Sequence, residues 1–136
     1  MKKLLILSLI VIAAIAANAQ PLVKGNLLGV HVMTIKLNPG YTMDQAIDFW
    51  VKKYIPVVDK EWGTKSYILK GIRGENKDKF GYLIVFKTEA DRDKYFNKDG
   101  SSTDLKKKID EKTKPIEDEF AKIGTFTTVY TDWIIQ

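Results

Sequence analysis

LGVHVMTIKLNPGYTMDQAIDFWVKKY, residues 28–54, is the segment on which the predicted fold depends. Its first part, residues 28–37, alternates between two faces with the period of two that is typical of a β-strand. Both faces are largely apolar, so we expect this strand to be central in a sheet and covered on both sides. Asn38-Pro39-Gly40 ends the strand, because proline removes a ladder donor and glycine accepts a positive φ.

The second part of the segment is predicted to be an amphipathic helix. Thr42 followed three residues later by Gln45 is a capping box, the signature of a helix start. Apolar residues then recur every three or four positions, at Ile47, Trp50, Val51, Tyr54 and Val58. Pro56 lies within this pattern, so we expect it to kink the helix or to end its first segment near Tyr54.

The remaining chain is predicted to contain three more strands and two more helices. The strands are predicted at 66–73, 80–87 and 126–135, and a polar turn joins the first two as a hairpin. Thr88 is the predicted cap of a short helix over 89–96. Thr103 or Ser102 is the predicted cap of a longer helix, which Pro115 bends or breaks and Gly124 ends.

The element order strand, helix, strand, strand, helix, strand predicts the fold. It is the βαββαβ order of the ferredoxin-like α+β class, a four-stranded antiparallel sheet with helices on one face. We expect the other, helix-free face to be strongly apolar, and an identical sheet to cover it in a homodimer. The residues assigned to that face are His31, Met33, Ile35, Tyr82, Ile84 and Phe86.

Residues 1–19 have the pattern of a secretory signal peptide. Lys2 and Lys3 precede an apolar run over 4–17, and Ala17-Asn18-Ala19 is a small-x-small cleavage site. The apolar run is shorter than the roughly 20 residues that cross a bilayer, which disfavours an uncleaved anchor. We therefore predict export through the Sec pathway to the periplasm or the cell exterior. The mature chain, 20–136, is predicted to be one domain free of the membrane.

Charge and composition narrow the function classes. The formal net charge is +5, and removal of Lys2 and Lys3 lowers it by two, to +3. Such a small excess gives no reason to expect nucleic acid as a partner. The chain has no cysteine and one histidine, so neither a disulfide framework nor a metal site is expected. No phosphate-binding loop or serine-hydrolase motif is present.

The segments Ile35-Lys36-Leu37-Asn38-Pro39-Gly40 and Phe86-Lys87-Thr88-Glu89-Ala90-Asp91-Arg92, with the hairpin between them, resemble the dimeric α/β-barrel superfamily. That superfamily includes the antibiotic-biosynthesis monooxygenase-like domains and the stress-responsive barrel proteins. The resemblance implies a homodimer whose two sheets face each other around a cavity, with the helices outside. Some relatives oxygenate aromatic polyketides without a cofactor, others degrade haem, and others only bind.

Further consequences of the resemblance concern the single histidine. Haem-degrading relatives use an asparagine, a helix-borne histidine and a tryptophan, whereas no histidine of this chain lies on a predicted helix. A histidine on an early strand, like His31, occurs in the stress-responsive branch. No cofactor is therefore predicted, and haem binding is kept as a third hypothesis.

His31 is the candidate catalytic residue, because an imidazole exchanges protons near neutral pH. The alternative is a core histidine bonded to a neighbouring strand. The candidate ligand-binding residues are His31, Tyr67, Tyr82, Phe86 and Tyr130. They combine apolar area with a few polar groups, as ligand sites do, although ordinary interface core uses the same residue types. Arg73 and Asp132 are predicted to lie at strand ends. There they either bind a carboxylate or orient His31, or they form a solvated rim or an intersubunit salt bridge.

The leading functional hypothesis is an exported homodimer that binds a small, partly aromatic molecule in the cavity between its sheets. The second hypothesis is a cofactor-independent monooxygenase or isomerase. In that case His31 acts as the general base and Tyr82 or Tyr130 orients the substrate. Whether the protein is an enzyme at all stays open at this point.

Overall fold

A computed structural model describes residues 22–136 of the chain. The strands are β1 (Leu27–Leu37), β2 (Lys65–Lys70), β3 (Phe80–Phe86) and β4 (Gly124–Ile134). The helices are α1 (Met43–Phe49), a π-helical turn (Trp50–Tyr54), α2 (Ile55–Trp62), α3 (Glu89–Arg92) and α4 (Asp104–Ala121). The predicted signal peptide lies outside the described residues. Within 22–136, none of the helices has the length and hydropathy to cross a membrane.

The four strands form one antiparallel sheet in the order β2-β3-β1-β4. The β1 strand is central, and its first residue, Leu27, lies opposite Phe86 of β3 on one side and Ile134 of β4 on the other. The helices pack on one face of this sheet. The arrangement is ferredoxin-like, so the predicted α+β fold is confirmed.

The helix that follows β1 begins at the predicted capping box. The Thr42 hydroxyl accepts the Gln45 N–H at 3.3 Å, and the Gln45 side chain accepts the Thr42 N–H at 2.8 Å. As predicted for Pro56, a helical segment ends at Tyr54, where the π turn closes, and α2 begins at Ile55 and continues the helical path. Pro56 has no N–H, and it lies in the first turn of α2, where proline is tolerated.

The long helix α4 corrects two expectations. It runs unbroken through Pro115, which lies on its exposed side. Gly124 is not its terminator, since the helix is capped at Lys122 and Gly124 begins β4. A Cβ on Gly124 would lie 2.5 Å from the Lys36 carbonyl oxygen, so glycine is required by the close approach of β4 to β1.

The structure corrects the predicted orientation of the sheet. Trp50 of the π turn packs edge-on against Tyr82 and Phe126, with ring centroids 5.3 and 5.0 Å away. His31 lies opposite Tyr82 and Tyr130, so all of these side chains face the helices. The prediction that the helix-free face carries His31 and its neighbours is therefore wrong. Because both faces of β1 are apolar, alternation alone did not distinguish the face that meets the helices.

The helix-free side of the sheet, called here the open face, carries the other half of each strand. Its main residues are Leu28, Val30, Val32, Tyr67, Leu69, Leu83, Val85, Val129, Thr131 and Trp133. The edge strand β4 is the most exposed part, since Val129 and Trp133 keep 76% and 60% of their surface accessible. The expected apolar helix-free face is thus present, but with a different set of residues.

Candidate functional site

A cavity of about 190 Å³ lies between the helix side of the sheet and the segment that follows β3. We call it the His31 pocket. It is lined by Gly29, His31, Trp62, Ile84, Phe86, Arg92, Phe96, Gly100, Tyr130 and Asp132. These residues come from three strands, α2, α3 and the loop before α4, so segments far apart in the sequence must pack together to form the cavity.

The loop over the pocket is held in a defined shape. Phe96 and Ser102 pair as an antiparallel bridge, and the Asn97 N–H donates to the Ser101 carbonyl at 2.8 Å. Gly100 lies within this tight loop at φ +81°, a conformation that favours glycine. The loop therefore presents Phe96 and Gly100 to the pocket from an ordered backbone.

Aromatic rings form the walls of the His31 pocket. The His31 and Tyr130 rings are stacked, with centroids 5.5 Å apart and an interplanar angle of 26°. On the other side, Trp62 packs against Phe96 at 5.9 Å and Phe86 at 6.2 Å. Flat apolar walls of this kind match the flat faces of an aromatic ligand.

The polar end of the pocket is an ion pair. Arg92 Nε lies 3.3 Å from Asp132 Oδ2, and the Arg92 side chain is only 17% exposed. The guanidinium also lies 4.8 Å from the centre of the Phe96 ring, a cation–π contact. The Thr88 hydroxyl accepts the Asp91 N–H at 3.1 Å and so starts the short helix that carries Arg92.

Gly29 leaves an open space between two polar atoms of the pocket. A Cβ on Gly29 would lie 3.5 Å from Asp132 Oδ1 and 3.7 Å from His31 Nε2. Gly29 does not have a positive φ, so its backbone does not require glycine. The missing side chain instead leaves both atoms facing one small gap.

Burial lowers the pKa of His31 below its usual value, because desolvation disfavours the imidazolium, and the negative charge of Asp132 opposes this only in part. The imidazole is therefore neutral near pH 7, the form that accepts a proton or a hydrogen bond. Its Nδ1 atom lies 3.5 Å from the Thr128 hydroxyl oxygen.

Three of the five predicted ligand residues line the pocket: His31, Phe86 and Tyr130. Tyr82 does not, because it is buried and its hydroxyl donates to Ser66 Oγ at 3.0 Å. Burial raises the pKa of Tyr82 to about 12. Tyr67 lies on the open face, and so on the opposite side of the sheet. The prediction that these five residues share one cavity between sheets is therefore wrong.

Of the two charged residues considered at strand ends, Asp132 lies beside His31, whereas Arg73 is exposed in the loop between β2 and β3. Arg92 was not singled out from the sequence. No motif marks it, because its role depends on α3 lying over β4. The aromatic run around Phe96 likewise gave no sign that it would close a pocket.

A second, larger groove of about 750 Å³ lies along the open face. Its walls include Leu22, Val23, Tyr67, Leu83 and Val85. The side-chain amide of Asn26, which lines the groove, is already hydrogen-bonded within the protein. It accepts the Val23 N–H at 2.9 Å and donates to the Lys87 carbonyl at 3.0 Å. The groove thus offers mainly apolar area on the open face.

Neither haem nor a metal ion matches the residues present. The sole histidine of the chain lies in the His31 pocket, whose volume is about 190 Å³, below the roughly 300–1,000 Å³ of sites for drug-sized ligands. Haem does not fit there, and the open face has no histidine to ligate it. Among residues 22–136, no cluster of three or more His, Cys, Asp or Glu side chains is placed to hold a metal ion.

No protein-family model matches the chain, and no curated protein is similar to it in sequence. Among solved structures, the chain is similar to a dimeric protein of unknown function and ferredoxin-like fold from Bacteroides fragilis NCTC 9343. The superposition has a TM-score of 0.45 and 9% sequence identity, and it covers 82% of this chain and 98% of that chain.

Proposed function

We propose that this protein binds a small aromatic molecule in the His31 pocket. The observation that supports this most directly is the combination of aromatic walls with two polar atoms, Asp132 Oδ1 and His31 Nε2, which face an open space above Gly29. Ligand sites typically join apolar walls to a few convergent polar groups, and the pocket has both.

The volume of the pocket limits the ligand to one ring. An engineered apolar cavity of about 150 Å³ binds benzene, and sites for drug-sized molecules begin near 300 Å³. The His31 pocket, at about 190 Å³, lies just above the first value. A six-membered ring with one or two small substituents is therefore the class of ligand proposed.

The test is a titration of the mature protein with single-ring fragments, followed by amide NMR. We expect saturable shifts at Gly29 and Gly100, which line the pocket, and none at Gly74, an exposed glycine of the β2–β3 loop. The absence of saturation with every fragment, or shifts confined to open-face residues such as Leu83, would contradict the proposal.

We also infer that the protein is a homodimer of the dimeric α/β-barrel type, formed through the open face. The exposed apolar side chains of β4 support this, since a patch of that kind on a soluble protein usually marks an interface. The paired positions of the face carry no acidic residue, and their lysines, Lys36 and Lys65, lie near strand ends, so the centre of the face is uncharged. In this dimer the His31 pocket remains on the helix side, outside the interface.

Export through the signal peptide remains part of the proposal and rests on the sequence pattern of residues 1–19. Expression of the full chain, with mass spectrometry of the periplasmic and extracellular fractions, tests it. A mature N-terminus at Gln20 is the expected result. An intact Met1 in the soluble cell interior would contradict it.

A further inference from the structure

We propose that the ligand of the His31 pocket is an uncharged aromatic ring bearing an O–H or N–H donor, which enters the space above Gly29 and donates to Asp132 Oδ1 beside His31 Nε2. This inference rests on the proposed function, because it specifies the chemistry of a ligand at the same site. It follows from three observations: the free oxygen Oδ1 of the Asp132 carboxylate, the pairing of that carboxylate with Arg92, and the absent side chain of Gly29.

The Asp132 carboxylate has a free acceptor that faces the gap. Asp132 uses Oδ2 toward Arg92, and its Oδ1 has no hydrogen-bond partner within the part of the chain that the structure describes. The neutral His31 ring carries one proton, either on Nδ1, which lies 3.5 Å from the Thr128 hydroxyl oxygen, or on Nε2, which faces the gap. Nε2 therefore accepts from a ligand group or donates to it, whereas Asp132 Oδ1 requires a donor with either tautomer.

The pairing of Asp132 with Arg92 favours an uncharged ligand. The carboxylate of Asp132 already has the Arg92 guanidinium as its counter-charge at the same end of the cavity. A ligand carboxylate at Asp132 Oδ1 would meet a like charge. A ligand ammonium would lose its hydration beside a carboxylate that is already paired, and an O–H or N–H group on an uncharged ring meets neither cost.

Gly29 provides the room for the donor. A Cβ at this position would lie 3.5 Å from Asp132 Oδ1, 3.7 Å from His31 Nε2 and 3.9 Å from the Ile84 Cβ, all ordinary van der Waals distances. Alanine therefore fits the folded protein without a clash. Its methyl group would nevertheless occupy the space between Asp132 Oδ1 and His31 Nε2. Gly29→Ala therefore removes the space for the ligand's donor group and keeps both polar residues.

The experiment compares ligands of one shape and different chemistry. Toluene, phenol and aniline differ only in a methyl, hydroxyl or amino substituent, and all three are uncharged at about pH 7.5. We expect phenol and aniline to bind about tenfold more tightly than toluene, because a bound methyl leaves Asp132 Oδ1 without a donor. Benzoate and benzylammonium carry the two opposite charges and are expected to bind more weakly than phenol.

Gly29→Ala tests whether the preference for phenol over toluene depends on the space above Gly29. In this variant we expect phenol to bind no more tightly than toluene. Benzene has no substituent to place above Gly29, so we expect it still to bind. Gly81→Ala is the matched control, since Gly81 lies on the open face of the neighbouring strand and lacks a positive φ. It is expected to leave the preference for phenol unchanged.

The outcomes separate this inference from the proposed function. If benzene, toluene and phenol all bind equally, or if a charged fragment binds most tightly, the donor inference is overturned and the single-ring site stands. The same holds if Gly29→Ala retains the full preference for phenol. If no ring binds to the wild type, the proposed function itself fails.

Discussion

Arg92 Nε lies 3.3 Å from Asp132 Oδ2, and this contact joins the short helix α3 to the edge strand β4 across the mouth of the His31 pocket. The two side chains keep 17% and 32% of their surface accessible, so the pair is more buried than most surface ion pairs. It holds the Asp132 carboxylate in place with Oδ1 directed toward Gly29. The ion pair is thus both a tertiary link and part of the candidate site.

Asp132→Asn is expected to lower the free energy of unfolding by about 1–2 kcal/mol, between the values typical of exposed and fully buried pairs. The loss follows because the largely buried Arg92 guanidinium no longer faces a carboxylate. Urea unfolding at about pH 7 measures it.

Asp93→Asn is the matched control for this prediction. Asp93 Oδ1 lies 3.6 Å from Arg92 Nη1, but its side chain is 54% exposed. The same chemical change there is expected to cost less than about 0.5 kcal/mol. Equal losses in the two variants would show that burial of the Asp132 pair contributes nothing to stability.

The fold was predictable from local signals in the sequence. Thr42 and Gln45 mark a helix start by their own hydrogen bonds, and Gly63 ends α2 in the left-handed conformation that glycine favours. Such signals act between neighbours in the chain and need no knowledge of the tertiary structure. They set the element order, and the element order was enough to identify the ferredoxin-like topology.

The candidate site was only partly predictable, because it depends on contacts between distant segments. His31 and Asp132 each drew attention as polar residues on strands, but their proximity follows from β4 pairing with β1. Arg92 joins them only because α3 lies over that edge of the sheet. Which face of β1 meets the helices was likewise undetermined, since packing against Trp50 decides it and both faces are apolar.

The free energy of unfolding is expected to depend on pH through His31. Its pKa is lowered in the folded protein by burial, so the unfolded chain binds a proton first as the pH falls. The free energy of unfolding is therefore expected to be highest above the unfolded pKa of about 6.5 and to decrease as the pH falls through the folded value.

The measurement is urea unfolding of the wild type and His31→Gln at about pH 8 and about pH 5, at one protein concentration. The difference between the two proteins isolates the histidine, because all carboxylates are common to both. We expect the wild type to lose more stability than the variant on acidification. An identical loss in both would mean that His31 is solvated in the folded state.

Tyr82→Phe tests the buried hydroxyl network below the pocket. The Tyr82 hydroxyl donates to Ser66 Oγ at 3.0 Å, and Ser66 Oγ donates to Asp59 Oδ1 at 2.6 Å. Removal of the first donor is expected to cost about 0.5–1.5 kcal/mol. Tyr41→Phe, at an exposed position in the turn before α1, is the control and is expected to change stability by less than about 0.5 kcal/mol.

The same variant carries a prediction for alkaline pH. The pKa of Tyr82 is raised to about 12 by burial, so the unfolded chain loses this proton at lower pH than the folded protein does. The free energy of unfolding is expected to fall between the unfolded pKa of about 10 and the folded value, and Tyr82→Phe is expected to lack that part of the fall. An equal fall in both proteins would show that the phenol is accessible to solvent.

A charge introduced on the open face is expected to weaken the proposed homodimer. Val129 is 76% exposed at the centre of β4, and the proposed homodimer buries it against the partner sheet. Val129→Lys places an unpaired charge there and is expected to weaken dimerisation at least tenfold, a cost typical of burying a charge without a partner. Light scattering after gel filtration over a range of concentrations measures the shift to monomer.

Val51→Lys is the matched control, because Val51 is 49% exposed but lies in the π turn on the helix side of the sheet. It is expected to leave the dimer unchanged. The Val129→Lys monomer is also expected to bind single-ring fragments as the wild type does, since the His31 pocket opens on the side of the sheet away from Val129. A wild type that stays monomeric at all concentrations would contradict the dimer, whereas loss of fragment binding on dissociation would show that the pocket and the interface are coupled.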